Sequence, residues 1–99
     1  MTDRHRLPHR RRSEIVELEV DGVRYKVTGS RFSDGRLGEI FIDGPKTGST
    51  AQTTARDAGI ALSLLLQHGV APAKVLRTLT QLPDGSPASI VGRALKAFA

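Results

Sequence analysis

The chain has 99 residues, 38% of them hydrophobic, with three Phe, one Tyr, no Trp and no Cys. This length has room for one core, burying roughly 60–65% of the unfolded surface. Without cysteine there are no disulfides, thiolate metal centres, iron–sulfur clusters, cysteine nucleophiles or thiyl radicals. No run approaches the roughly 18 apolar residues of a membrane span and no apolar leader opens the sequence, so a cytoplasmic location is expected.

The net charge of +5 is unevenly spread: Arg4, Arg6, Arg10, Arg11 and Arg12 stand against Asp3, so four of the five net charges fall in residues 1–12. A basic, disordered tail over 1–12 and one folded domain over 13–99 are expected. Such a tail either solubilises the chain or grips phosphates or an acidic protein surface. A grip on nucleic acid would weaken steeply with salt as counterions compete.

Glu14 to Val20 and Val23 to Thr28 alternate apolar and polar residues, which predicts two half-buried strands. Asp21-Gly22 between them is a favoured type I′ pair. A two-residue loop sets Val20 opposite Val23, Leu18 opposite Tyr25 and Val16 opposite Val27, with Glu19 across from Arg24 and Glu17 across from Lys26. A second Asp-Gly, Asp34-Gly35, precedes a third strand over Leu37 to Asp43. A simple two-residue loop there puts Phe32 and Leu37 on the wrong face, unless a bulge at Gly29-Ser30 restores the phase. Ile40, Phe41 and Ile42 are apolar on both faces, which marks them as a candidate homodimer interface.

From Thr50 the period becomes helical, and 58–66 is apolar nearly all round, which predicts a buried helix ending at Gly69. Pro72 opens a second helix with a stripe of Val75, Leu76, Leu79 and Leu82. Ser86 as N-cap with Pro87 behind it opens a third. The expected fold is α+β: a three-stranded antiparallel meander followed by two or three helices packed on one face.

The loop before the first helix is the foremost candidate site. Gly48 permits close backbone approach, Lys46, Ser49 and Thr50 offer donors, and a helix start favours anions, so phosphate is the ligand this chemistry suits. Arg56 is the basic residue expected to join them, and Arg31, Arg36 and Arg56 are an alternative anion-binding set. The order of a P-loop is missing. His5, His9 and His68 show no metal spacing, no nucleophile motif is present, and no cofactor or catalytic residue is assigned.

Several strings together resemble the TSCPD domain of adenosylcobalamin-dependent, class II ribonucleotide reductases: Arg6-Leu7-Pro8 with Arg10-Arg11; Asp34-Gly35-Arg36-Leu37-Gly38-Glu39-Ile40-Phe41-Ile42; Lys46-x-Gly48-Ser49; and Ser63-Leu64-x-x-Gln67-x-Gly69-Val70. The resemblance spans roughly residues 6–80. It implies a nucleotide-related context but no catalysis, because the reductase chemistry needs a large barrel, a cobalamin site and cysteines that this chain lacks. The expectation is a non-catalytic domain that self-associates and binds a phosphate-bearing ligand such as a nucleotide. The alternative is an adaptor that reaches nucleic acid or a reductase partner through Arg4, Arg6, Arg10, Arg11 and Arg12.

Overall fold

A computed structural model of the protein describes residues 3–44 and 48–99. Three antiparallel strands, β1 (Arg12–Val20), β2 (Val23–Arg31) and β3 (Leu37–Asp43), form a meander in the order β1-β2-β3. Three helices follow: α1 (Thr50–Gln67), α2 (Pro72–Thr78) and α3 (Ile90–Phe98). This is the α+β arrangement expected from the sequence.

The first hairpin turns on Asp21 (φ 52°) and Gly22 (φ 77°), the paired positive dihedrals of a type I′ turn. Its register matches the one the turn dictates, from Val20 opposite Val23 to Val16 opposite Val27. The charged residues face one another as expected, but the ion contact is diagonal. Arg24 reaches Glu17 at 3.9 Å with both side chains largely exposed, so it adds at most about 1 kcal/mol.

The second hairpin departs from the expected loop. Phe32 N–H donates to the Arg36 carbonyl at 2.8 Å and Gly35 N–H to the Phe32 carbonyl at 2.9 Å, so Ser33, Asp34 and Gly35 make a three-residue loop with Gly35 at φ 92°. The register then shifts: Arg31 pairs with Leu37 but Ser30 with Glu39, leaving Gly38 as the extra residue. The bulge that restores the phase therefore lies in β3 and not at Gly29-Ser30. Leu37 turns into the main core, while Phe32 is buried on the opposite face of the sheet. Gly38 is required there, because a Cβ would sit 2.7 Å from the Phe32 ring and 2.9 Å from Leu7.

The main core joins the inner face of the sheet (Val20, Tyr25, Val27, Leu37, Ile40 and Ile42) to Ala55, Leu62 and Leu66 of α1, Val75 of α2, and Ala94, Leu95 and Phe98 of α3. Phe98 lies flat over Gly29, where a Cβ would come within 2.7 Å of its ring.

Helix α1 is seated along the free edge of β3. Ser63 Oγ accepts from Ile40 N–H at 2.9 Å and lies 3.0 Å from the Ile40 carbonyl, and Gln67 Nε2 donates to the Gly38 carbonyl at 2.9 Å. These side chains satisfy backbone groups that an edge strand otherwise leaves open. Gly59 permits the approach, since a Cβ would be 3.1 Å from the Ile40 carbonyl.

Three helix expectations are corrected. Helix α1 is not buried all round: Ile60 (48%), Leu64 (39%) and Leu65 (45%) are exposed. Helix α3 starts at Ile90 with Ser89 as its N-cap, not at Ser86. Ser86 is engaged elsewhere, its N–H and hydroxyl both bonded to the Asp84 carboxylate at 2.9 and 2.6 Å in a small turn closed by a Gln81–Pro87 bridge. Leu82, assigned to the α2 stripe, is exposed in that turn.

Candidate functional site

The start of α1 is a closed cap. Gly48 takes φ 82°, its N–H donates to Gln52 Oε1 at 2.9 Å, and Gln52 N–H donates back to Ser49 Oγ at 3.1 Å. This is close to a capping box, and it occupies groups that a phosphate would also seek. Thr50 is exposed at the first helical position. Lys46 lies outside the described residues. Arg56 does not join this cluster: its guanidinium lies 5.1 Å from the centroid of the Phe41 ring, well down the helix. Among the described residues, the basic one that borders the α1 start is Arg24, which with Tyr25, Gly44, Ser49 and Gln52 lines a groove of about 510 Å³.

The expected interface residues separate by face. Ile40 and Ile42 are 1% and 0% exposed in the chain's own core, so their side chains are not available to a second subunit. Phe41 is on the outer face, half-buried, and borders a hollow shared with Ile60 and Leu64. The apolar surface is therefore carried mainly by α1, where the sequence reading had placed interior.

The basic N-terminal residues divide as well. Arg4 Nε donates to Gln67 Oε1 at 2.5 Å, and His5 N–H to the Gln67 carbonyl at 2.6 Å. Arg11 donates to the Pro8 carbonyl at 3.0 Å and meets Glu39 at 3.2 Å. The His5 ring stacks on Phe32 at 4.8 Å, and Arg36 lies over the same Phe32 ring at 4.8 Å while donating to His5 Nδ1 at 3.2 Å. Arg6, Arg10 and Arg12 are exposed. Of the alternative anion set, Arg31 and Arg36 border one groove, while Arg56 lies elsewhere on Phe41.

No group of His, Asp and Glu residues suited to a metal occurs among the described residues. The carboxyls held below their usual range are Asp34, chiefly through the Arg36 backbone N–H and guanidinium, and Asp84, through the Ser86 hydroxyl and N–H. Both are exposed and stabilise turns. His68 Nδ1 lies 2.7 Å from the Leu64 carbonyl at the end of α1, a helix-terminating contact.

The residues that tie these regions together were not singled out from the sequence as functional. Ser63 and Gln67 hold the β3 edge, Gly38 admits Leu7 and Phe32, and Glu39 holds Arg11. Their signal was present in the strings quoted above, but as recognition and not as chemistry.

The TSCPD domain family model matches residues 4–99. The chain belongs to the TSCPD family. It is 40% identical over 68 residues to the vitamin B12-dependent ribonucleotide reductase of Agrobacterium fabrum, which covers 69% of this chain and 5% of the reductase. It is 39% identical over 70 residues to the enzyme of the same name from Bradyrhizobium diazoefficiens (71% of this chain, 6% of the reductase), and 37% over 73 residues to that of Rhodopirellula baltica (74% and 7%). No solved structure matches the chain significantly. The 99-residue TSCPD chain thus corresponds to a domain-sized piece of those reductases and is not a full reductase. No helix among the described residues is long and apolar enough to cross a membrane.

Proposed function

We propose that this TSCPD chain is a non-catalytic, cytoplasmic assembly domain that pairs with a second copy of itself through α1 and carries a phosphate-bearing ligand, a nucleotide, beside the start of that helix. One observation carries the pairing: Ile60, Leu64 and Leu65 lie exposed on one helix of a domain whose core is otherwise filled. The stripe is self-complementary. About a two-fold axis between positions 62 and 63, antiparallel helices bring Ile60 to Leu65, Ala61 to Leu64, and Asp57 to His68 of the second copy, all of them exposed or half-exposed. Small faces large at Ala61 and Leu64, and a carboxylate faces an imidazole at each end.

The non-catalytic part is supported by where the family strings go. Asp34 and the glycines are engaged in turns and close strand contacts, and Ser63, Gln67 and Glu39, which border one small hollow of about 180 Å³, are already bonded to Ile40, Gly38 and Arg11. The ligand part is favoured by Arg24, which adds a cation to the groove beside Ser49.

Sedimentation equilibrium tests the pairing. The native chain of 10.7 kDa is expected to sediment at twice that mass, and Leu64→Glu at the single mass with its fold retained. A native monomer at high concentration sinks the pairing. A nucleotide panel tests the ligand: a rise in melting temperature lost in Arg24→Ala and Lys46→Ala is expected, each variant being compared with its own ligand-free state. No shift with any nucleotide sinks that part and leaves the pairing standing.

A further inference from the structure

The β1–β2 ladder ends on two arginines. Arg12 and Arg31 are direct cross-strand partners, and like charges set opposite one another weaken an antiparallel pair. Arg31 is held by Glu14 at 3.6 Å and donates to the Phe98 carbonyl at 2.7 Å. Arg12 is exposed and has neither an ion pair nor a hydrogen bond from its side chain among the described residues, and the same is true of Arg10. Arg10, Arg11, Arg12 and Arg31, with Ser33, line one open depression of about 390 Å³. Two carboxylates, Glu39 on Arg11 and Glu14 on Arg31, face these four guanidiniums, so Arg10 and Arg12 stand uncompensated.

We propose that this depression binds the phosphodiester backbone of a nucleic acid. Guanidinium forks match phosphate oxygens in pairs, and here four arginines border one open depression, which suits the phosphates of a chain better than one enclosed phosphate. Phe32 borders the depression but is buried beneath His5 and Arg36, so it presents no free ring face for a base. Binding is therefore sequence-independent and electrostatic. The site lies at the opposite end of nine-residue β1 from the turn that borders the α1 groove, roughly 27 Å away at strand rise, and does not depend on the nucleotide proposed there. It differs from a free basic tail in needing Arg31 and the folded end of the ladder, and in leaving out Arg4, which is engaged with Gln67.

The test is fluorescence anisotropy of the full chain with a labelled mixed-sequence oligonucleotide and its duplex, read with thermal melting of the same variants. If Arg10 and Arg12 each neutralise a phosphate, duplex affinity falls about tenfold between 50 and 200 mM salt. Arg10→Ala and Arg12→Ala each weaken binding and reduce the salt slope by about 1. Lys74→Ala and Arg77→Ala on α2 change neither. Without nucleic acid, Arg12→Thr raises the melting temperature by about 1–6 °C, because it removes the like-charge pair while keeping a strand-forming residue. The proposal is overturned by no binding at 50 mM salt, by equal losses in the α2 variants, or by a lower melting temperature in Arg12→Thr. Pyrophosphate competing as well as the oligonucleotide at equal phosphate overturns it too, as does an acidic peptide binding in its place.

Discussion

The two faces of the sheet are closed by different means. The inner face is sealed by α1 and α3 on a continuous aliphatic surface, with Val27, Ile42, Ala94 and Leu95 fully buried. The outer face has local covers only: residues 4–11 bring Leu7 and His5 over Gly38 and Phe32, Arg56 lies over Phe41, and Ile15 on the far strand β1 stands 60% exposed. Apolar burial is non-directional and scales with area, so the inner face supplies most of the stability. The outer face and the exposed side of α1 are held by few, specific contacts. They are the surfaces that the chain's own core leaves uncovered.

The largest expected effect checks the inner face. Leu95→Ala leaves a cavity at the centre of the core and is expected to cost about 2–5 kcal/mol in chemical denaturation, against less than about 0.5 kcal/mol for Ile15→Ala on the outer face. Comparable losses at the two positions would erase the distinction between the faces.

Next is the seam between α1 and β3. Ser63→Ala leaves the Ile40 N–H buried without its acceptor and is expected to cost about 1–3 kcal/mol, more than the lost area of a small hydroxyl explains. Amide exchange at Ile40 should accelerate more than exchange at Val27; equal protection at both would mean that Ser63 does not seal the edge.

The mildest effect concerns the turn that positions Phe32. Asp34 has its carboxyl held below the usual carboxylate range by the Arg36 backbone N–H and guanidinium. A carboxyl with a lowered folded value contributes stability above its unfolded value, and that contribution disappears as the pH falls through the folded one. Asp34→Asn should therefore lower the melting temperature slightly at neutral pH and cease to differ from the native chain in strong acid. A difference that persists unchanged in acid would show that Asp34 acts by shape and not by charge.

The sequence made the first hairpin legible because Asp21-Gly22 admits one turn type and one register, and strict alternation then assigns every side chain a face. The second hairpin was ambiguous for the same reason: Asp34-Gly35 belongs equally to a two- or three-residue loop, and the bulge at Gly38 is set by Leu7 and Phe32, a contact between distant parts of the chain. For α1, composition gave the helix but not its surroundings, because an all-round apolar helix reads the same whether it is covered by its own chain or by another. The α1 start was legible as a cap, and its separation from Arg56 was not. Arg31 entered the basic depression through strand pairing with Arg12, which linear charge counting does not reveal.

The exposed side of α1 is most directly tested by oxidative cross-linking, made clean by the absence of native cysteine. In an equal mixture of Ala61→Cys and Leu64→Cys chains, the antiparallel pairing predicts that the mixed disulfide forms faster than either like-with-like product, because only that pair brings the two Cβ atoms within bridging distance. Products in random proportion, or cross-linking no faster than for a cysteine placed at Arg77 on α2, would contradict the pairing of α1 with a second copy.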